Sequence, residues 1–423
     1  MVNRFRLIAM VAIVAVLLAA CGEEAEQRRF ATDEQPSFVA ASPPVIVVST
    51  AAASPVVVPV LSPESLLAGA EATGTVFMIR DDSVWSIDLS SGAERLVYSA
   101  PNNAPLVLAV DDVGERVAVL TGDSSQGQPT TLLVLRSDGT TIQRFDGVET
   151  SFEDAAETVT PVSLDWSHDG QRLLAGFRGG GLLDVPLTGK PSVILGPKRL
   201  PYLDEARWSP SSDMIAFVAR SAPDSAGRLF IAKPRGGATD PVAVAPARTS
   251  TGQSVRSLAW AQNGEAILYL QTSSTNEITG QDLFEVSPVG EDRRLVASSG
   301  RVAPVGGIER FAVSPDGRSV AYAIYVPGLE EPVFNSLWIE SLESATRYQV
   351  PVDTGNTVTA LRWVAGGLLW ETTGTGTGGT PALAEPVLYS LGEDLIPRRV
   401  DDRQATPESA TPMSSPNTPS PAA

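Results

Sequence analysis

The residue types that most often perform catalysis or bind metals are scarce in this sequence. It contains one histidine, His168, and one cysteine, Cys21. A single cysteine excludes an intramolecular disulfide bond and any metal site built from several cysteines, and a single histidine excludes zinc sites built from several histidines. His168 stands between Ser167 and Asp169-Gly170, in a sequence typical of a turn. We predict a structural role for it, because a catalytic base needs a nucleophile and an orienting group within reach.

A glycine-rich segment has the spacing of a phosphate-binding loop but lacks its context. Gly374, Gly376 and Gly379 fit the pattern G-x-G-x-x-G, yet the dinucleotide fingerprint requires a preceding strand and a following helix. This segment lies between two strand-like runs, so we predict a flexible loop and no bound cofactor. The G-x-S-x-G motif of serine hydrolases is absent from the sequence. Carboxylates are abundant enough for a glycosidase-type pair, but no two of them stand out.

One acidic segment is the candidate binding loop of the sequence. The segment 146–161 contains no basic residue and carries five acids, Asp146, Glu149, Glu153, Asp154 and Glu157. A run of like charge is usually a solvated loop. The sharper hypothesis is a contact for a cationic partner, or a loose Ca²⁺ site, since hard cations take carboxylate oxygens. No other motif predicts a metal or cofactor.

The N-terminal residues have the pattern of an export signal. Arg4 and Arg6 precede an unbroken apolar run, 7–20, which is too short to span a bilayer and fits the central region of a secretory signal peptide. The run ends in Leu18-Ala19-Ala20-Cys21-Gly22, which resembles the bacterial lipobox. The resemblance implies cleavage before Cys21 and lipid attachment to Cys21. Several acyl chains anchor a protein firmly where one chain is marginal.

Charge and composition divide the chain into four parts. The formal net charge is −18 over 423 residues, which repels nucleic acid and anionic headgroups, so we predict no nucleic-acid partner and an anchor of covalent lipid. Residues 1–20 are the predicted signal peptide, and 21–73 are a lipidated cysteine with an Ala/Pro/Val-rich linker. Residues 74–400 are the predicted folded domain. Residues 401–423 are a Pro/Ser/Thr-rich tail that cannot pack a core.

One pattern recurs along the folded domain and organises it. A strand ending in Trp or Val is followed by a tight turn and a strongly apolar strand, at 164–177, 207–218, 259–270, 312–323 and 361–370, with a degenerate copy at 110–120. Glycine at the turn takes the positive φ that a two-strand turn requires. The apolar run after the turn predicts a strand buried on both faces. The fixed position of Trp166, Trp208, Trp260 and Trp363 predicts packing between strands and argues against sugar stacking.

The repeat resembles the blades of TolB-like and WD-repeat-like bacterial β-propellers. The closest copy is Ser314-Pro315-Asp316-Gly317 followed by Val320-Ala321-Tyr322. The resemblance implies an all-β propeller of four-stranded blades and says little about function, because such propellers serve many roles. Seven blades is the preferred count and six is the alternative. In the seven-blade reading, 76–98 is a blade whose innermost strand is supplied by 56–61 or is missing.

Loop lengths predict which face of a propeller binds. In a four-stranded blade, the turns between strands one and two and between strands three and four share one face, and the other connections share the opposite face. We call the second the long-loop face, because it collects the segments 122–129, 146–161, 220–227, 272–281, 326–335 and 373–385. Long loops on a rigid scaffold are where recognition usually occurs.

Two functional hypotheses follow from the sequence. The first is a non-catalytic binding or scaffold lipoprotein of the cell envelope, lipid-anchored outside the cytoplasm to the cell membrane or an outer membrane. Its partner is another envelope protein, a peptide or a glycan. The alternative is a carboxylate-based propeller hydrolase or lyase acting on envelope glycans or peptides. The scarcity of His and Cys favours the first.

Overall fold

The repeated turn sequences fold into short antiparallel strands that form seven separate sheets. The computed structural model describes residues 74–100, 104–111, 114–122, 130–152, 159–200, 202–234, 241–245, 253–261, 263–275, 278–298, 306–326, 333–344, 346–352, 356–364, 367–374, 387–391 and 397–400. All of them belong to the second of two compact units, Val58–Ala423. No helix in these ranges is long and apolar enough to cross a membrane. Cys21, the predicted signal peptide, the linker and the tail lie outside the described residues.

The strands follow one another in sequence order within each sheet. Blade 1 contains β1 (Thr75–Arg80), β2 (Ser83–Asp88) and β3 (Glu94–Ser99). Blade 2 contains β4 (Pro105–Val110), β5 (Arg116–Thr121), β6 (Thr131–Arg136) and β7 (Thr141–Asp146). Blade 3 contains β8 (Thr160–Trp166), β9 (Arg172–Arg178), β10 (Gly181–Pro186) and β11 (Ser192–Leu195). Blade 4 contains β12 (Tyr202–Trp208), β13 (Ile215–Arg220), β14 (Arg228–Ala232) and β15 (Val242–Ala245).

The remaining three sheets have the same order. Blade 5 contains β16 (Ser254–Trp260), β17 (Ile267–Thr275), β18 (Ile278–Val286) and β19 (Arg294–Ser298). Blade 6 contains β20 (Gly307–Val313), β21 (Ser319–Val326), β22 (Val333–Ser341) and β23 (Arg347–Val350). Blade 7 contains β24 (Asn356–Val364), β25 (Gly367–Gly374), β26 (Val387–Leu391) and β27 (Pro397–Arg399). The seven sheets form a ring, and the fold is a seven-bladed β-propeller.

The tight turns explain why strands one and two pair in register. In blade 6, the Gly317 amide donates to the Ser314 carbonyl at 2.8 Å, and Gly317 has a φ of 69°. The Ser314 hydroxyl accepts from the Ser319 amide at 2.9 Å, and the Asp316 carboxylate accepts from the Arg318 amide at 3.0 Å. The turn at 167–172 in blade 3 repeats these bonds. These bonds satisfy the backbone donors of the turn with local side chains.

Blade 1 matches the second, third and fourth strands of the other blades. Residues 76–78 of β1 are buried in a run, as in the second strands β5 and β9, and β3 is exposed at its start like the fourth strands β7, β11 and β19. The prediction that 76–98 is a blade without its innermost strand is confirmed for the described residues. The segment 56–61, the predicted donor of that strand, lies outside them.

The ring closes through side chains of blades 7 and 1. Leu369 and Val400 of blade 7 pack with Val76, Met78 and Ile87 of blade 1 in one buried cluster. Burial of apolar surface between neighbouring sheets is the principal force that holds such an assembly.

Tryptophans at the ends of first strands connect successive blades. The indole nitrogen of Trp166 donates to the Ala109 carbonyl of blade 2 at 3.2 Å. In the same way Trp260 donates to the Arg207 carbonyl at 3.3 Å, and Trp363 donates to the Ala312 carbonyl at 2.9 Å. The predicted packing role of these tryptophans is confirmed.

The prediction of a long loop is wrong at one position. The sequence predicts an irregular segment at 272–281 in blade 5. In the structure β17 extends to Thr275, β18 begins at Ile278, and the two strands pair along their whole length. Thr272 pairs with Gln281, and Thr275 pairs with Ile278. The β-branched residues Thr272, Thr275 and Ile278 favour strands, and the polar composition of this segment concealed that preference.

Candidate anion-binding cleft

Every first strand of blades 2 to 7 carries a β-bulge at the same position. The register shifts fall between Pro105 and Val107, Pro161 and Ser163, Leu203 and Glu205, Val255 and Ser257, Ile308 and Arg310, and Val358 and Ala360. A bulge adds one residue and redirects its side chain. The added residues lie near the start of each strand, at the long-loop face: Leu106, Val162, Asp204, Arg256, Glu309 and Thr359.

Two of these bulge residues line a cleft of about 610 Å³, which we call the arginine cleft. Its wall comes from the end of β9, the start of β12, the end of β13, the loop 221–227 and the start of β16. All of these segments lie on the long-loop face. Its charged lining residues are Arg178, Asp204, Arg220, Asp224 and Arg256. The long-loop face therefore has a concave site between blades 3, 4 and 5.

Asp204 is held by two of the arginines. Arg220 donates from Nε and Nη2 to the two carboxylate oxygens of Asp204, at 2.8 and 2.6 Å. Arg178 adds a longer contact from Nη2 at 3.5 Å. The hydrogen bond to Asp204 is also the main cause that raises the pKa of Arg220. A two-pronged arginine–carboxylate pair fixes geometry as well as charge, so Asp204 and Arg220 form a rigid floor.

The loop 221–227 is the outer wall of the cleft and is held at both ends. At its start, Arg220 Nη1 donates to the Pro223 carbonyl at 2.6 Å, and the Ala222 amide donates to the Ser225 hydroxyl at 2.9 Å. At its end, the Gly227 amide donates to the Ser254 hydroxyl at 2.9 Å, and the Val255 amide donates to the Gly227 carbonyl at 2.9 Å. The loop is therefore joined directly to blade 5.

Arg256 is the cation of the cleft that no described residue engages. Its side chain is exposed, and none of the described residues forms a hydrogen bond or ion pair with it. The bulge between Val255 and Ser257 places it at the cleft mouth. Guanidinium groups bind carboxylates and phosphates with paired hydrogen bonds. With Arg178 half-exposed opposite, the cleft can orient an anionic group.

The predicted acidic loop uses two of its acids locally. Asp146 ends β7, accepts from the Thr131 hydroxyl at 3.1 Å and pairs with Arg144 at 2.8 Å. Glu149 lies in a short 3₁₀ helix, Val148–Ser151, and accepts from the Thr130 amide at 3.1 Å. Glu153, Asp154 and Glu157 lie outside the described residues, so the binding role of this loop stays a prediction. No group of three or more metal-ligating side chains occurs among the described residues.

The other candidate residues lie away from the arginine cleft. His168 is an exposed residue of the turn between β8 and β9, on the face opposite the long loops. Gly374 is the last residue of β25, and the rest of the glycine-rich segment lies outside the described residues. Of the described candidates, His168, Gly374, Asp146 and Glu149 do not line this cleft, whereas the predicted long loop 220–227 does.

A second charged group lies deeper, between the first strands of blades 3, 4 and 5. Arg207 donates to Glu205 at 2.8 Å and to the Leu164 carbonyl at 3.2 Å, and it lies 3.8 Å from Asp165. Asp165 accepts from the Trp208 amide at 2.7 Å. Burial raises the pKa of Asp165 to about 6, against the opposing effects of Arg207 and the Trp208 amide.

Asp165→Asn should stabilise the protein at neutral pH. The folded pKa of about 6 exceeds the ordinary value of 3.8, so the folded state binds the proton of Asp165 more tightly than the unfolded state does. The stability that this proton contributes is fully present below pH 4 and is lost as the pH rises through 6. We expect the variant to gain about 1–2 kcal/mol over the wild type at pH 8, and no advantage at pH 4. Denaturant unfolding at both pH values measures this.

Asp169→Asn is the matched control, because the pKa of Asp169 is shifted in the opposite direction to that of Asp165. The Ser167 hydroxyl is the main cause that lowers the pKa of Asp169, so its carboxylate stabilises the fold above pH 4. The Asp169 variant should be less stable than the wild type at pH 8. An Asp165 variant that is also less stable there contradicts the account of the buried carboxylate.

Comparisons with known proteins agree with the fold. No protein-family model matches the sequence, and no curated protein matches it. The chain shares its fold with a prolyl endopeptidase. That solved structure superposes with a TM-score of 0.55 at 12% identity, over 80% of this chain and 50% of the other. This chain therefore spans half the length of the endopeptidase chain.

Two further solved structures are similar at lower scores. The propeller domain of the Trilobed protease from Pyrococcus furiosus matches at 11% identity with a TM-score of 0.49, over 79% of this chain and 97% of that domain. The hydrazine synthase of Kuenenia stuttgartiensis matches at 10% identity with a TM-score of 0.47, over 70% of this chain and 79% of the other. At these identities the likeness concerns the fold of the propeller alone.

Proposed function

We propose that this propeller is a non-catalytic binding lipoprotein of the bacterial cell envelope, anchored through Cys21, that holds an anionic partner in the arginine cleft. The observation that carries the proposal is the unengaged Arg256 at the mouth of a concave site on the long-loop face. A protein whose net charge is −18 repels anions over most of its surface. The cleft has three arginines against two aspartates, Asp204 and Asp224, and this local excess of positive charge selects where an anion can approach.

The lining of the cleft supports recognition over catalysis. The carboxylate of Asp204 is engaged by Arg220 and Arg178. His168, the only histidine of the sequence, lies on the opposite face. A general base and a nucleophile within hydrogen-bond reach are what hydrolysis needs, and the lining hydroxyls of Ser225 and Ser254 instead accept from the Ala222 and Gly227 amides. The partner is an anionic segment of an envelope protein, a peptide or a glycan.

Arg256→Glu should weaken the binding of an anionic probe. We would titrate the full-length protein with a tetraglutamate peptide at 0.15 M salt, where the Debye length is about 8 Å and the overall negative charge is screened. A charge-assisted hydrogen bond contributes about 1.5–3 kcal/mol, so we expect a loss of roughly 10–100-fold in affinity. Arg178→Glu should weaken binding in the same direction, and Asp224→Asn should strengthen it.

The matched control lies on the same face outside the cleft. Asp146→Ala combined with Glu149→Ala removes two charges of the acidic loop and should leave tetraglutamate binding unchanged. Unchanged affinity in Arg256→Glu contradicts the proposal. If the wild type instead binds tetralysine and the Asp146/Glu149 variant does not, the binding site is the acidic loop and the partner is cationic.

A further inference from the structure

A second pocket, of about 490 Å³, lies beside the arginine cleft and differs from it in chemistry. The two share Arg220 and Ala226, so the loop 221–227 separates them. The second pocket lies between the connection from blade 3 to blade 4 and the strands β13 and β14. Its volume is typical of pockets that hold small molecules or single side chains.

The charge lining the second pocket is of one sign. Lys198, Arg199, Arg220 and Arg228 line it, and no acidic side chain is among its described lining residues. Arg220 is engaged by Asp204 and Pro223. The sequence has more acids than bases, 49 against 31, so a pocket without any carboxylate departs from the average surface. Its field attracts an anion.

Arg228 is the lining cation for which no described residue provides an acceptor. Its Nε is buried without a hydrogen-bond partner, and no ion pair with any described residue engages its guanidinium. The guanidinium lies over the ring of Phe230, 5.6 Å from its centroid. Cation–π contact holds the group in place and leaves the terminal nitrogens, Nη1 and Nη2, to donate to a ligand.

Apart from Ser221, the other lining residues of the pocket are apolar. Phe230 stacks on Phe217 with ring centroids 5.3 Å apart, and Leu200 and Ala219 are buried. Pro241 completes this side. A free inorganic anion makes no use of such a surface, whereas an apolar group attached to an anion buries it.

We propose that the second pocket binds a carboxylate carried on an apolar or aromatic body, with Arg228 as the residue that recognises the carboxylate. Two sources share this chemistry: a small organic acid and the C-terminal residue of a peptide. The proposal does not depend on the arginine cleft, because Arg228 does not line the cleft.

The test uses a matched pair of probes on the full-length protein. N-acetyl-L-phenylalanine carries the carboxylate, and N-acetyl-L-phenylalaninamide has the same body without the charge. We expect the acid to bind saturably, the amide to bind at least tenfold more weakly, and Arg228→Met to remove the preference for the acid, because methionine keeps the packing on Phe230 and loses the charge. Arg256→Glu should leave this binding unchanged, which separates the outcome from that of the proposed function.

Two further arms distinguish the sources of the ligand. A hexapeptide ending in phenylalanine that binds as well as the small acid indicates a peptide terminus, and a peptide that is excluded indicates a small acid. Equal binding of the acid and the amide overturns the proposal. So does an Arg228→Met variant that still prefers the acid and whose thermal unfolding transition shows that it is folded. Inorganic phosphate that displaces the acid at equal concentration also overturns it, because the apolar body then contributes nothing.

Discussion

Trp166→Ala should lower the free energy of unfolding by about 3–5 kcal/mol, the usual range for emptying a buried tryptophan site. Trp166 is buried where blade 3 packs on blade 2. Its indole nitrogen donates to the Ala109 carbonyl, and the guanidinium of Arg116 lies over its ring, 4.6 Å from the centroid. The substitution therefore removes apolar packing, a hydrogen bond and a cation–π contact between two blades. Chemical denaturation of the full-length protein measures the loss.

A pair of phenylalanine variants separates the hydrogen bond from the packing. Trp208 has Arg172 over its ring at the same 4.6 Å distance, but its indole nitrogen is buried without a partner among the described atoms. Trp166→Phe loses a hydrogen bond, whereas Trp208→Phe removes an unsatisfied donor. We expect Trp166→Phe to be the more destabilising by about 1 kcal/mol. Equal losses contradict the role given to the inter-blade bond.

Gly227→Ala should destabilise the protein by about 1–3 kcal/mol, the range for an added methyl group in a packed site, and should disrupt the arginine cleft. A Cβ atom at residue 227 would lie 2.2 Å from the Val255 carbonyl oxygen and 3.3 Å from the Ser254 hydroxyl. The Val255 oxygen belongs to backbone and cannot rotate away. The loop 221–227 must therefore separate from β16, and the hydrogen bonds between Gly227 and blade 5 break.

Gly196→Ala is the matched control for this substitution. Gly196 lies in the connection between blades 3 and 4, and a Cβ atom there would meet no heavy atom within 4 Å. Stability and tetraglutamate binding should stay at the wild-type level, because surface substitutions usually change stability by no more than about 0.5 kcal/mol. Retained binding in a destabilised Gly227→Ala variant would show that the wall formed by 221–227 is not part of the binding site.

The blade architecture is readable in the sequence because each blade repeats the same local chemistry. Turns such as Ser314-Pro315-Asp316-Gly317 are determined by φ preferences and by side-chain bonds within five residues. The second strands are continuous apolar runs. Both signals depend on neighbours in sequence, so a single chain displays them without any knowledge of tertiary contacts. Counting these units gives six blades, and the segment 76–98, which lacks an innermost strand, supplies the seventh sheet.

The bulges were missed although the sequence contains a signal for them. Buried residues of a strand normally lie two apart, but the pairs Leu203 and Ala206, and Val255 and Leu258, lie three apart with both members buried. The extra residue is the bulge. Two polar residues between two apolar ones in a short strand therefore predict a side chain redirected toward the long-loop face.

The arginine cleft was missed because its parts are distant in sequence. Arg178, Arg220 and Arg256 come from three blades, and each alone is an ordinary charged residue at a strand end or bulge. The acidic segment 146–161 is visible in the sequence because its five acids lie within sixteen residues. Adjacency in sequence says little about which charges converge in space, and convergence depends on the packing of neighbouring blades.

The central claim is that the long-loop face of blades 3 to 5 holds the partner, and cross-linking mass spectrometry tests it most directly. The full-length protein would be purified from membranes with its bound partner and cross-linked through carboxyl and arginine side chains. The account predicts that cross-links to the partner cluster at 178, 220–227 and 253–256 on the long-loop face, and that Arg256→Glu removes them. Cross-links concentrated on the opposite face, at the turns 167–171 and 314–318, would contradict it.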